Sequence, residues 1–167
     1  WGHVGVAHWF VMIGFLGLML SVAESYGEVF VPEFELPILG SFGPWNLFVE
    51  LLGVTTVLGG LWLAGVRQLN HPRRAGRVSR FSGSRFGQAY FVEAVVILEG
   101  LGIVGLRAFK HSSDLLHTPV WSAPVTTAIG AVLPASTTAV SLFAGFKILS
   151  AMVWLIVIAS DATMGVA

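Results

Sequence analysis

The sequence contains no cysteine, so it holds no disulfide framework, thiolate zinc site or iron–sulfur cluster of its own. Charge is scarce too: nine basic and nine acidic residues make 11 % of 167, against roughly 25 % in ordinary soluble domains. The two signs cancel, which leaves no electrostatic footprint for a nucleic-acid partner. There is no charged leader followed by a small-residue cleavage site, so the apolar stretch 4–26 is not expected to be a signal peptide. No internal repeat is visible. What is present is apolar: 55 % hydrophobic residues, with 12 phenylalanines, 6 tryptophans and 20 glycines. That excludes a disordered chain, and it exceeds what a water-soluble domain of this size can bury. The composition is that of an integral membrane protein.

The gaps between charges mark the spans. An all-α bundle of four transmembrane helices is expected, at 4–26, 45–66, 87–106 and 137–160, each long enough at about 1.5 Å per residue to cross the hydrocarbon layer. The apolar run 125–133 is too short to span and is bracketed by Pro124 and Pro134, so it reads as an interfacial or re-entrant segment. Between the second and third helices stand Arg67, Arg73, Arg74, Arg77, Arg80 and Arg85 without a single acid, whereas 27–44 carries Glu28, Glu33 and Glu35 without a base. By the positive-inside rule loop 67–87 and both chain ends are cytoplasmic. The chain begins on Trp1 and stops after a span, so residues 1–167 are expected to be one transmembrane domain of a longer protein, with one more helix upstream.

Charges inside the spans are the candidate site residues, because each costs about 2.5–3.5 kcal/mol at the bilayer centre and needs a partner or a role. Glu99 and Lys147 fall at similar depths on antiparallel helices, which predicts an ion pair; it serves either as a register lock or as a polar site. Glu93 has no basic partner within the spans, so it is either a protonated carboxyl bonded to backbone or a proton-exchanging group that meets a quinone. His8 is either a hydrogen-bonded helix histidine or an axial ligand of b-type haem. His71, His111 and His117 fall in loops, where solvation is the default. Gly14, Gly17, Gly53, Gly59, Gly60, Gly100, Gly102 and Gly105 permit close helix packing. Trp1, Trp9, Trp45, Trp62 and Trp121 suit an interfacial belt, and Trp154 lies deeper.

Several stretches resemble one family. Gly5–Phe10 before a long apolar helix, Glu24-Ser25-Tyr26-Gly27, Val31-Pro32-Glu33-Phe34, Pro37-Ile38-Leu39-Gly40 and the run Gly76–Ser84 are similar to the membrane domain of the heterodisulfide-reductase-related iron–sulfur oxidoreductases. That domain is like the gamma subunit of respiratory nitrate reductase, and bacterial members include the electron-transfer-flavoprotein dehydrogenase type. The resemblance implies a module of the bacterial cytoplasmic membrane that passes electrons from a cytoplasmic iron–sulfur domain of the same protein to menaquinone or another quinone. Electron-transfer flavoprotein would be a further partner.

The resemblance also implies haem b on His8, with either Met164 or a histidine beyond residue 167 as its second ligand, and iron–sulfur clusters only outside this chain. It departs from the family in three places: Leu18 stands where a second histidine is found, Arg85 where many members have histidine, and Ser160–Met164 where a His-x-His lies. Arg77, Arg80 and Arg85 would dock the redox partner. The reading from another class is a passive anchor or a small transporter whose buried charges line a path.

Overall fold

The computed structural model describes residues 2–69 and 86–164, with side chains for 12–69, 87, 90–156 and 159. Among them are the helices α1 (Gly2–Phe30), α2 (Gly43–Leu69), α3 (Phe86–Ser112), α4 (Pro124–Gly130) and α5 (Thr137–Met164), one 3₁₀ turn at Val120–Ser122, and no strand. Local chemistry sets the ends. Pro44 lies in the first turn of α2, where a backbone amide has no helical acceptor anyway. Asp114, at φ 56°, closes α3: its amide bonds the His111 carbonyl and the Leu115 amide bonds that of Lys110, at 3.1 and 2.9 Å. This is a Schellman arrangement. The Ser136 hydroxyl accepts the Ala139 amide at 3.2 Å and caps α5.

Among the described residues three segments, Met12–Phe30, Gly43–Leu69 and Thr137–Ile156, are long and apolar enough to cross a membrane, as in a multi-pass membrane protein. The expected count is four; three are found among the described residues, and α3 is not one of them. α3 is 27 residues long and carries Glu93, Glu99, Arg107 and Lys110. It packs against α2, α4 and α5, and all four charged side chains are buried. Its exposed residues, Phe91, Val92, Leu98 and Leu101, are apolar. The described surface of the bundle is apolar, with Leu58, Trp62, Leu142, Leu149 and Ile156 outside and Glu50, Glu99, Arg107, Lys110 and Lys147 within, the reverse of a water-soluble protein.

The four long helices form a closed antiparallel ring in the order α1, α2, α3, α5, and the α1–α2 contact is the slightest of the four. Asn46 meets Arg107 at one end of the α2–α3 pair and Arg67 meets Glu93 at the other. Between them Gly100 lies so close to α2 that an added Cβ would sit 2.9 Å from the Gly53 carbonyl oxygen, the approach that small residues allow in lipid. The run 125–133, expected to be interfacial or re-entrant, contains most of α4, which is seated on α3.

Candidate functional site

Because α1 and α2 touch so little, a cavity of about 400 Å³ opens between them, closed behind by α3 and α5. Phe15, Leu18 and Val22 of α1, Leu52 of α2 and Trp154 of α5 line it, and Glu99 is its one charged lining residue. The Trp154 and Phe15 rings pack at 6.3 Å between centroids, which gives the deep tryptophan its place.

Glu99 is buried, and its two oxygens differ. Oε2 shares a short hydrogen bond with the Ser150 hydroxyl; Oε1 has no partner. Ser150 also lies 3.0 Å from the Lys147 carbonyl oxygen. A hydroxyl has one hydrogen to give. With that hydrogen given to Glu99 Oε2, Oε1 is the oxygen left to carry the proton of a neutral Glu99 and to donate it.

The expected Glu99–Lys147 ion pair does not form: no oxygen of Glu99 lies within 4 Å of the ammonium. Depth alone suggested it, but the Lys147 stem passes towards α1. There Nζ donates to the Ser21 carbonyl at 2.6 Å, the Ser21 hydroxyl at 2.6 Å and the Ser25 hydroxyl at 3.0 Å. Three acceptors match the three hydrogens of an ammonium, so the group is satisfied without a carboxylate.

Towards loop 31–42 a charged cluster continues from Lys147. Lys110 pairs with Glu28 at 2.9 Å and donates to the Phe34 carbonyl at 3.0 Å. Glu24 accepts the Leu36 amide at 3.3 Å. Arg107 donates to the Asn46 side-chain oxygen at 2.9 Å, and Asn46 donates in turn to the Gly40 carbonyl at 2.7 Å. These bonds tie the loop onto the bundle. Glu50 has a separate duty: it accepts the Val125 amide at 2.6 Å, the Thr126 amide at 3.4 Å and the Thr126 hydroxyl, and so caps α4.

Glu93 also departs from expectation. It is paired with Arg67, Nη2 to Oε1 at 2.7 Å and Nε to Oε1 at 2.8 Å, and the guanidinium lies 5.7 Å from the Tyr90 ring centre. Arg67 was placed just beyond its span; α2 continues to Leu69, and this extra turn carries the guanidinium to Glu93. The expectation of a Glu93 without a basic partner is thus corrected: Arg67 supplies one on Oε1, while Oε2 is buried without a partner. His8 and Met164 lie on the helical backbone of α1 and α5, but their side chains fall outside the described ones, as do Arg77, Arg80 and Arg85 altogether. His111 and His117 sit at the loop end, and no group of three or more metal-ligating side chains occurs among the described residues.

Glu24, Glu28, Glu50, Arg107 and Lys110, none of them among the expected site residues, are all buried. The available signal was spacing: Ser21, Glu24, Ser25 and Glu28 share one helix face, as do Arg107 and Lys110. Comparison with protein-family models, characterised proteins and solved structures gives no match to this chain.

Proposed function

We propose that this chain is the membrane module of a quinone-linked oxidoreductase, and that a lipid quinone enters the cavity between α1 and α2 with its head group against Glu99. The observation that carries this reading is the free, buried Oε1 of the one acid in an otherwise apolar cavity of about 400 Å³. Its size falls in the range of small-molecule sites, which are apolar with few polar groups to orient the ligand. The lining runs along α1 from Gly14 to Tyr26, about 18 Å at the helical rise, a shape suited to a ring with a hydrocarbon tail. Quinone plus two electrons and two protons gives quinol; Glu99, with its proton on Oε1, donates to a ring carbonyl and gives up that proton as charge develops there.

The rest of the reading follows from the family resemblance and the bundle. α3 is the fourth span, its charges turned inward and its apolar residues to lipid. The module lies in the bacterial cytoplasmic membrane with the arginine segment inside. Electrons come from an iron–sulfur domain of the same protein, docked at Arg77, Arg80 and Arg85, with electron-transfer flavoprotein as the donor to it. Haem b on His8 belongs to the same proposal. The α1–α5 register, in which Ser21 and Ser25 meet Lys147 and Phe15 meets Trp154, has positions 8 and 164 at the same end of the bundle, which supports His8 and Met164 as the residues that would hold it.

The test is quinone binding. Titrating decylubiquinone into the full-length protein in lipid vesicles is expected to quench tryptophan fluorescence saturably, and the Trp154→Phe variant to lose that component. Glu99→Gln is expected to retain binding and to lower quinone reduction about a hundredfold, the usual loss for a positioned proton donor. Absence of saturable quenching refutes the reading and leaves the passive anchor.

A further inference from the structure

We propose that the small polar cavity beneath loop 31–42 binds a single water molecule, which bridges the loop to α1 and α3 and seats it on the bundle. The inference is independent of the quinone reading, because Glu99 does not line this cavity.

The cavity measures about 10 Å³, room for one water molecule. Glu28 of α1, Glu35 and Gly40 of the loop and Arg107 of α3 converge on it. Each of the three charged residues brings a buried atom that has no protein partner: Glu28 Oε2, Glu35 Oε1 and Arg107 Nε. Glu28 and Arg107 are each more than nine-tenths buried. Their neighbouring atoms are committed elsewhere, Glu28 Oε1 to Lys110 at 2.9 Å and Arg107 Nη2 to the Asn46 side chain at 2.9 Å. Gly40 gives Glu35 the space to fold inward, since a Cβ there would stand 2.9 Å from Glu35 Oε2. The Lys147 ammonium also lines the cavity, but its three hydrogens are engaged by Ser21 and Ser25.

The three orphan atoms specify the ligand. Two carboxylate oxygens require hydrogens, and a guanidinium N–H requires an acceptor. A water satisfies all of them: it donates to Glu28 Oε2 and Glu35 Oε1 and accepts from Arg107 Nε, the usual three bonds of a buried water. A metal cation has no lone pair for the Arg107 N–H, and a simple anion has no hydrogen for the carboxylates. Left unbridged, each of these buried groups would oppose folding. The bridge also completes a pattern. Glu24 accepts the Leu36 amide at 3.3 Å, Lys110 donates to the Phe34 carbonyl at 3.0 Å and Asn46 donates to the Gly40 carbonyl at 2.7 Å. Residues on both sides of Glu35 are thus held by the bundle, and the water holds Glu35 itself.

The experiment is solid-state NMR of the full-length protein in lipid vesicles, reading polarisation transfer from long-lived water to the Arg107 Nε–H. That signal is the one missing from Arg107→Lys; if this variant does not fold, labelling of the single Leu-Arg pair, Leu106-Arg107, assigns it instead. Transfer is expected in the wild type. Glu35→Leu removes one acceptor and is expected to cut the transfer about fivefold. It is also expected to speed deuterium exchange of the Leu36 and Gly40 amides about tenfold, as for one lost hydrogen bond of ordinary net strength. Glu35→Gln keeps an acceptor oxygen and is expected to stay within about twofold of wild type in both readouts. Absence of transfer to Arg107 Nε in the wild type overturns the site. Unchanged transfer or unchanged amide exchange in Glu35→Leu overturns the bridge to the loop. Glu35→Gln behaving like Glu35→Leu overturns it as well, because charge alone would then hold Glu35.

Discussion

Replacing Glu50 by alanine removes the common acceptor of the Val125 amide, the Thr126 amide and the Thr126 hydroxyl at the start of α4. Glu50 and Thr126 are fully buried, so water does not take its place. The 3.4 Å Thr126 amide contact is long and is left out. The bonds to the Val125 amide and the Thr126 hydroxyl are charge-assisted and contribute about 1.5 kcal/mol each at the low end, so the loss is about 3 kcal/mol. The hydroxyl keeps a contact to the Ala123 carbonyl at 3.5 Å, too long to recover much. Glu50→Gln keeps one acceptor oxygen and is expected to lose about half as much. Unfolding of the chain in mixed micelles with rising dodecyl sulfate measures both variants. Trp121 is a local reporter, because its ring covers Gly43 and an added Cβ there would meet it at 2.7 Å. In Glu50→Ala the Trp121 signal is expected to move ahead of the global transition, as α4 leaves its seat first. Two variants of equal stability, both within about 0.5 kcal/mol of wild type as for an ordinary surface change, refute the capping role.

Two further outcomes test the packing and the inner ion pair. Gly100→Ala puts a Cβ 2.9 Å from the Gly53 carbonyl, which is backbone and cannot yield, whereas Gly59→Ala meets nothing within 4 Å. The first is expected to cost about 1–3 kcal/mol and the second to be neutral or stabilising by up to about 1 kcal/mol, in the same micelle titration. Arg67→Ala leaves the Glu93 carboxylate buried without its cation; adding Glu93→Gln is expected to restore most of the lost stability, because the penalty belongs to the unpaired charge.

The membrane class was legible from composition alone, and the described helices agree with three of the four expected spans. The site was legible only in outline. Glu99 and Lys147 stood out because each interrupts an apolar run, yet their partners were misjudged. Depth along a helix follows from residue number, but the neighbour a side chain meets depends on azimuth and on the order of helices round the ring. Lys147 could face α3 or α1 at one depth, and only packing turned it to Ser21 and Ser25. Reading the charge-free gaps as spans also stops α1 and α3 short of Phe30 and Ser112. That hid Glu28, Arg107 and Lys110, whose burial depends on partners 61 to 82 residues away.

The scarcity of charge thus determined, by itself, that the chain lives in lipid, because so much apolar surface has no other stable solvent. Tertiary structure decided the rest: which few charges meet, which oxygen of Glu99 stays free, and that α1 and α2 stand apart to leave a cavity beside it. Those are properties of distance between segments remote in sequence, and no periodicity along one helix encodes them.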